Sequence, residues 1–243
     1  MRLQRSLSDL REELLLNLDA SQNAYYRAEV FGGPSLYFHE QSLLAAKCGE
    51  CDPFAEKVYA VLASWGMHRM GRGGSKMLDF DSFRNSLRAL WPTILELQKV
   101  PPNEIGKNDW RRLEKIFREL RCMASATSLV GNSKVMAHAL PNLIPPVDRE
   151  YTLRFLFGRT DIVNGIDIEW LKLEKILKEF FYPMSLAESF LLKSDEWTKN
   201  STHFKWDTSP LKIVDNLIIG FIKINRSVDS NDHSKGSGVG SGV

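Results

Sequence analysis

Apolar residues recur along most of this chain at intervals of three and four positions. Leu7, Leu10, Leu14 and Leu18 are the first such set and predict an N-terminal amphipathic helix. The same spacing recurs in later sets, which include Phe54, Val58, Val61, Leu62 and Trp65; Trp110, Leu113, Ile116, Phe117 and Leu120; Trp170, Leu173, Ile176, Leu177 and Phe180; and Leu211, Val214, Leu217, Ile218 and Phe221. No segment alternates apolar and polar residues as a strand does, so the pattern predicts an all-α fold.

Helix-start signals divide this pattern into separate helices. Asp52-Pro53 and Ser209-Pro210 each combine a capping side chain with a proline suited to a first helical turn. From Ser227 onward the composition is rich in Ser, Gly, Asp and Asn, which predicts disorder. We therefore predict one compact helical domain over residues 1–226, with two lobes meeting near residues 125–150, and a disordered tail over residues 227–243.

Composition excludes few functions. The formal net charge is +2 and the pI is near 8.4, so overall charge does not by itself indicate a nucleic-acid partner. No apolar run reaches the roughly 18–20 residues that span a bilayer, and the N-terminus does not resemble a signal peptide. We expect a cytoplasmic protein without a membrane partner, and the sequence says nothing about its oligomeric state.

The three cysteines are expected to be reduced in that compartment. Cys48 and Cys51 have metal-type spacing, but no second pair follows to complete a zinc site. They are either a metal or redox pair, which His39 and His68 could extend, or incidental thiols at a helix start. We predict neither a metal nor another cofactor.

The segment from Leu129 to Tyr151 carries the chemistry-bearing pattern. Leu-Val-Gly-Asn-Ser-Lys, residues 129–134, predicts a glycine turn that opens a short helix. Ile-Pro-Pro-Val-Asp, residues 144–148, then ends that helix and places Asp148 at the start of another. Backbone amides at such a turn can hold a phosphate, and the aspartate would lie close to it.

This order of parts resembles the helix-hairpin-helix DNA glycosylase superfamily over about residues 50–160. Gly131 matches the first glycine of the family hairpin, whereas Ser133 stands where a second glycine is usual. Val147-Asp148 matches the pair that leads the next helix. Lys134 lies one place short of the family's nucleophilic lysine, and a one-residue gap aligns it.

The resemblance implies a fold, an activity and a set of site residues. The fold would be glycosylase-like, and the activity would be base-excision repair: binding double-stranded DNA and hydrolysing the N-glycosidic bond of a modified base. Asp148 and Lys134 would be catalytic, while Gly131, Asn132 and Ser133 would bind the DNA backbone. The iron–sulfur cluster of some members needs four cysteines near the C-terminus, and no cysteine follows Cys122.

Two further features could serve nucleic-acid binding. The glycine-rich loop over residues 66–76 carries Arg69, Arg72 and Lys76, which could grip phosphates or could be solvated. Trp206 is predicted to lie in a loop, where it could stack on a base or pack as part of a lid.

Each candidate also has a purely structural interpretation. Asp148 could be an ordinary helix cap, and Lys134 a solvated helix lysine beside a structural His138. The alternatives to a glycosylase are therefore a non-catalytic nucleic-acid-binding module and a helical protein-interaction protein that binds no nucleic acid.

Overall fold

The chain folds almost entirely into helices. The computed structural model describes residues 5–29, 32–68, 70–71, 74–125 and 127–234. Twelve α-helices are assigned within these ranges: α1 (Leu7–Leu15), α2 (Leu18–Ala28), α3 (Pro34–Lys47), α4 (Cys51–Ser64), α5 (Phe80–Leu97), α6 (Lys107–Glu119), α7 (Leu129–Ala139), α8 (Arg154–Phe157), α9 (Ile166–Ile176), α10 (Tyr182–Ser185), α11 (Glu188–Lys199) and α12 (Pro210–Ser234). The predicted all-α class is confirmed.

Shorter elements join some of these helices. A 3-10 turn covers Pro102–Glu104, and π-helical turns over Arg149–Leu153 and Leu177–Phe181 lead into α8 and α10. The glycine-rich loop after α4 contains two antiparallel two-residue strands, Met70–Gly71 and Gly74–Ser75.

One contiguous apolar core runs through the described residues, from Leu10 in α1 to Ile222 in α12. Its largest fully buried side chains are the phenylalanines Phe54, Phe83, Phe117, Phe180, Phe181 and Phe190. Phe54, Phe117 and Phe180 occupy positions that the three- and four-residue spacing predicts, because burying one stripe of each helix removes the most apolar surface from water.

Helices α2 and α12 cross in backbone contact. A Cβ atom on Gly220 would lie 1.8 Å from the carbonyl oxygen of Ser21, which leaves no room for any side chain. The glycine therefore sets how closely the two helices approach. This crossing forms one side of the pocket described below.

The last helix extends further than the sequence predicts. It continues through Ser234, into the segment expected to be disordered, because no Gly or Pro follows Gly220 until Gly236. The rest of that segment, residues 235–243, lies outside the described residues. Among the helices that are described, none is both long and apolar enough to cross a membrane.

Candidate functional site

A pocket of about 400 Å³ opens where the middle of the chain meets α2 and α12. Its lining combines aromatic rings with lysines and carboxylates, a composition typical of sites that bind small organic groups. The lining residues are Tyr25, Ala28, Glu29, Trp65, Lys134, Pro146, Asp148, Tyr151, Trp206, Lys212, Asp215, Ile219 and Lys223.

Lys134 and Asp148, the two residues predicted to be catalytic, meet in this pocket. The Nζ atom of Lys134 lies 3.4 Å from Oδ2 of Asp148, and the lysine side chain is only 12% exposed. The same Nζ lies 5.3 Å from the centroid of the Trp65 ring, close enough for a cation–π contact. The amine is thus held between a carboxylate and an aromatic face at the pocket wall.

Asp148 caps a helical turn and also faces Lys134. Its Oδ1 atom accepts a hydrogen bond from the backbone N–H of Glu150 at 2.8 Å and so caps the helical turn that follows. Its Oδ2 atom faces Lys134. The cap fixes the carboxyl group, and the second oxygen is left for the lysine.

A second lysine–aspartate pair lies deeper in the same pocket. Nζ of Lys212 donates to Oδ2 of Asp215 at 2.8 Å, and also to Oδ1 of Asn216. Both side chains of the pair are at most 10% exposed. Burial raises the pKa of Asp215, the Asp148 charge raises it further, and Lys212 opposes both effects.

Thr152 connects the two pairs. The backbone N–H of Asp148 donates to Oγ1 of Thr152 at 3.1 Å, and that hydroxyl lies 3.5 Å from Oδ1 of Asp215. The four charged groups therefore form one electrostatic unit in which a change at one carboxylate is felt at the other.

Aromatic rings line the rest of the pocket. Trp65 follows α4; its spacing predicts a core position, but the side chain is half-buried and packs against the edge of the core. Trp206 lies in the predicted loop but is 2% exposed, and its ring lies 6.5 Å from that of Trp65. The two rings are tilted by 47° and pack against one another, so the half-buried Trp65 offers the more accessible face to the pocket.

Glu29 adds an acceptor to the pocket wall. Its side chain is 6% exposed, and Oε2 lies 3.6 Å from Nζ of Lys205. Oε1 is buried and has no hydrogen-bond partner in the described part of the chain. A buried oxygen without a hydrogen bond is energetically unfavourable. Oε1 of Glu29 is therefore an acceptor to which a bound group could donate.

The predicted backbone-binding residues lie elsewhere than the sequence indicates. Gly131, Asn132 and Ser133 are all buried in the first turns of α7 rather than exposed at a turn. Gly131 leaves space for the side chain of Met123, which a Cβ atom would approach to 2.5 Å. These three residues face the interior and are not placed to contact a nucleic acid.

The two polar residues of this group hold the site together. Asn132 donates to the carbonyl groups of Phe117 and Leu120, which end α6. Ser133 accepts from the backbone N–H of Val147 at 3.1 Å. That bond fastens the proline-rich segment to α7 and so brings Asp148 beside Lys134.

The amides at the start of α7 are already in use. The carboxylate of Glu169, whose residue is 0% exposed, accepts from the backbone N–H groups of Ser128 and Leu129. A carboxylate at a helix N-terminus occupies the place that a phosphate would take. The predicted phosphate site is therefore filled by the protein's own side chain.

The glycine-rich loop is anchored close to α7. Leu78 donates to the carbonyl of Cys122, and Ala124 to that of Lys76, while the neighbouring Met123 packs against Gly131. Lys76 is exposed at the root of the loop. Arg69 and Arg72 lie outside the described residues.

The cysteines contribute nothing to the pocket. All three are free thiols, and burial raises the pKa of Cys51 to about 11. No cluster of three or more metal-ligating side chains occurs among the residues that the structure describes.

Sequence reasoning missed the residues that α12 and α2 contribute. Lys212, Asp215 and Lys223 lie on one face of α12, next to an apolar stripe. Charged residues within an otherwise apolar helix are the signal that could have revealed them. Glu29 carried no such signal, because only the fold brings the end of α2 to the pocket.

The described site is thus a half-enclosed pocket with a lysine–carboxylate pair at its wall, a second such pair behind it, and aromatic faces around both. Comparison of this chain with protein-family models, curated proteins and solved structures finds no match.

Proposed function

We propose that this chain is a DNA glycosylase with a helix-hairpin-helix glycosylase-like fold, which releases a modified base from double-stranded DNA. The observation that carries the proposal is the approach of Lys134 Nζ to within 3.4 Å of Asp148 Oδ2 in an aromatic-lined pocket. The sequence resemblance selects the same two residues independently of that geometry.

Lys134 is the nucleophile in this proposal. Its neutral amine attacks the sugar carbon C1′ of an extruded nucleotide, and the electron pair of the glycosidic bond leaves with the base. The base takes up a proton. Opening of the C1′–O4′ bond then converts the adduct to an imine between Lys134 and the ring-opened sugar.

Asp148 serves the same step in two ways. Its carboxylate accepts the proton that the lysine must lose, and it stabilises positive charge that develops on the sugar as the bond breaks. Its cap to Glu150 holds the carboxylate in place before substrate arrives. A preorganised charge of this kind needs no rearrangement during the reaction.

The pocket size and lining fit an extruded base. About 400 Å³ lies in the range of sites for single organic ligands, and the half-buried ring of Trp65 offers a face on which a flat base can stack. The DNA backbone would contact the neighbouring loop, for which Lys76 is the described basic residue.

The decisive test is covalent trapping. Duplex oligonucleotides that carry an abasic site, or one of a panel of oxidised, alkylated or deaminated bases, are incubated with the protein and sodium borohydride. We expect a protein–DNA adduct whose tryptic map places the modification on Lys134, because borohydride reduces an imine to a stable amine. Absence of adduct and of base release across the panel would contradict the proposal.

The same samples separate the alternatives. Salt-dependent duplex binding without adduct or base release would indicate a non-catalytic nucleic-acid-binding module. Absence of any duplex binding would indicate a protein-interaction function.

A further inference from the structure

Two histidines lie in contact behind the pocket wall. His39 in α3 and His138 in α7 are 3% and 2% exposed, and neither lines the pocket itself. Nδ1 of His39 lies 2.9 Å from Nε2 of His138, with the rings edge to face. Trp65, which does line the pocket, lies between them and the cavity, with its ring 5.5 Å from that of His138.

The acceptor at one end sets the direction of every hydrogen bond. Nδ1 of His138 lies 2.7 Å from the carbonyl oxygen of Lys134, and a carbonyl can only accept. Nδ1 of His138 therefore carries the proton, and its Nε2 accepts from Nδ1–H of His39. Nε2 of His39 is then an acceptor for the hydroxyl of Thr208, 3.0 Å away.

This chain of bonds begins and ends at residues that support the pocket. Its first member is the carbonyl of Lys134, the residue that carries the reactive amine. Its last member is Thr208, which immediately precedes Ser209. The Oγ atom of Ser209 accepts from the backbone N–H of Lys212 and so caps the start of α12. The two lysines of the pocket are thus linked through the two imidazoles.

The surroundings keep both rings neutral. Burial lowers the pKa of His138 to about 4 and lowers that of His39 well below its usual range. The hydrogen bond to the Lys134 carbonyl opposes the shift at His138, whereas the Lys212 charge from α12 lowers the pKa of both rings and the Lys134 charge from α7 lowers that of His138. From α4 and the loop before α12 the pair faces the uncharged rings of Trp65 and Trp206.

We infer that His39 and His138 are positioning residues, a neutral hydrogen-bonded pair that holds the Lys134 turn of α7 at a fixed distance from the start of α12. This inference rests on the proposed function, because the alignment it maintains is that of the Lys134 amine against the substrate. Neither ring touches the substrate. A shift of about 1 Å in a reacting group can cost up to 100-fold in rate, so the support of this turn is kinetically important.

The first test measures the tautomers by ¹⁵N-edited NMR of the full chain at pH 7, with His39→Phe and His138→Phe assigning the signals. We expect both rings to be neutral and protonated at Nδ1. A charged ring, or an Nε2–H tautomer on either one, would overturn the inference whatever the protein does to DNA.

The second test compares single-turnover trapping rates on abasic duplex DNA. His39→Phe and His138→Phe are each expected to slow trapping by ~10-fold or more while duplex Kd changes by less than ~2-fold. The double variant should be no slower than either single variant, because the two rings act as a unit. His138→Asn, which keeps a donor for the Lys134 carbonyl but loses the acceptor for His39, should recover only part of the rate.

The outcomes distinguish the two proposals. Wild-type protein that traps no abasic DNA contradicts the proposed function, and the positioning role falls with it. Wild-type trapping with unchanged rates in all variants, or with multiplicative losses in the double variant, overturns the positioning role alone. Variants that lose both trapping and duplex binding would show that the histidines are needed for folding in general.

Discussion

The pocket contains two lysine–aspartate pairs that differ in how completely they satisfy one another. Lys134 and Asp148 are 3.4 Å apart, and the aspartate side chain is 34% exposed. Lys212 and Asp215 are 2.8 Å apart, both nearly buried, and Asn216 gives the lysine a second acceptor. The two lysines are almost equally buried, at 12% and 10% exposed, so the pairs differ in their acceptors: the Lys134 amine has one distant, partly exposed carboxylate, whereas the Lys212 amine is held by two close, buried acceptors.

This difference suggests that one pair matters for reactivity and the other for folding stability. A buried ion pair loses much of its Coulomb energy to desolvation, but removing one partner leaves an uncompensated charge and is strongly destabilising. A partly exposed pair keeps water as an alternative partner, so its loss is tolerated. We therefore expect the Lys134 pair to govern chemistry and the Lys212 pair to govern the folded state.

The largest expected effect comes from replacing each of the two lysines with glutamine in a separate variant. Lys134→Gln should lower borohydride trapping by ~1000-fold or more, because Lys134 is the amine that lies beside the proton-accepting Asp148, and should change the free energy of unfolding by less than ~1 kcal/mol. Lys212→Gln should instead lower the free energy of unfolding by ~3–5 kcal/mol, because buried Asp215 loses its counter-ion. Urea denaturation and trapping of both variants measure this contrast. Equal effects of the two substitutions on trapping would remove the distinction between the pairs.

The next effect concerns the reactive carboxylate. Asp148→Asn keeps a side chain that can cap the following turn but removes its negative charge. Base release should fall ~100-fold or more, while the melting temperature changes little. Asp148→Ala is the matched control, which should also lose ~1 kcal/mol of stability with the cap. Full activity in Asp148→Asn would leave the aspartate as a cap only.

Most of the fold could be predicted from the chain, and about half of the site. The spacing around Phe54 and Leu217 locates helices because burying an apolar stripe is a local requirement of each helix. Lys134 and Asp148 were found because both lie in one short segment. Lys212 and Glu29 were not, because the packing of α12 on α2 brings them there and no local pattern records that packing. Ser133 was misread for the same reason, since its partner Val147 becomes adjacent only in the fold.

A smaller effect, on pH dependence, separates two buried titratable groups: His138, which contacts the backbone of Lys134, and Asp207, which accepts from the side-chain amide of Asn216 beside Lys212. The pKa of His138 is lowered to about 4, so the unfolded chain takes up a proton first and stability falls as pH drops from 6.5 toward 4. The pKa of Asp207 is raised by burial to about 6, so the folded state takes up a proton first and stability rises over pH 6 to 4. Each shift is worth about 3 kcal/mol, and the two oppose one another.

In the wild-type protein the two contributions partly cancel. Each single variant should therefore show a different dependence of the free energy of unfolding on pH. His138→Phe should lose less stability than the wild-type protein as pH falls from 6 to 4, because only the lowered pKa of His39 then opposes Asp207, whereas Asp207→Asn should lose more. Free energies of unfolding from urea titrations at pH 4, 5, 6 and 7 check both signs. The same slope in both variants would contradict the opposed contributions.

The smallest expected effect lies outside both pairs. If Lys76 contacts a DNA phosphate, Lys76→Ala should lower the salt dependence of duplex binding by about one counterion and leave single-turnover trapping at saturating protein unchanged. Lys199→Ala is a control, because Lys199 is exposed in α11 and paired with Asp195. Binding isotherms at several salt concentrations give the slope. An unchanged slope in Lys76→Ala would remove this residue from the interface.

The close crossing of α2 and α12 at Gly220 limits how the pocket can open. Because α2 and α12 touch through their backbones, the pocket cannot widen by separating these two helices without breaking the most closely packed contact of the fold. Entry of a larger group has to displace the segments that carry Trp206 and Asp148, which join helices and are held by side-chain hydrogen bonds to their backbone rather than by backbone contact. Amide hydrogen exchange should then be slowest on both sides of Gly220 and faster across residues 200–208, so that opening at the site precedes global unfolding.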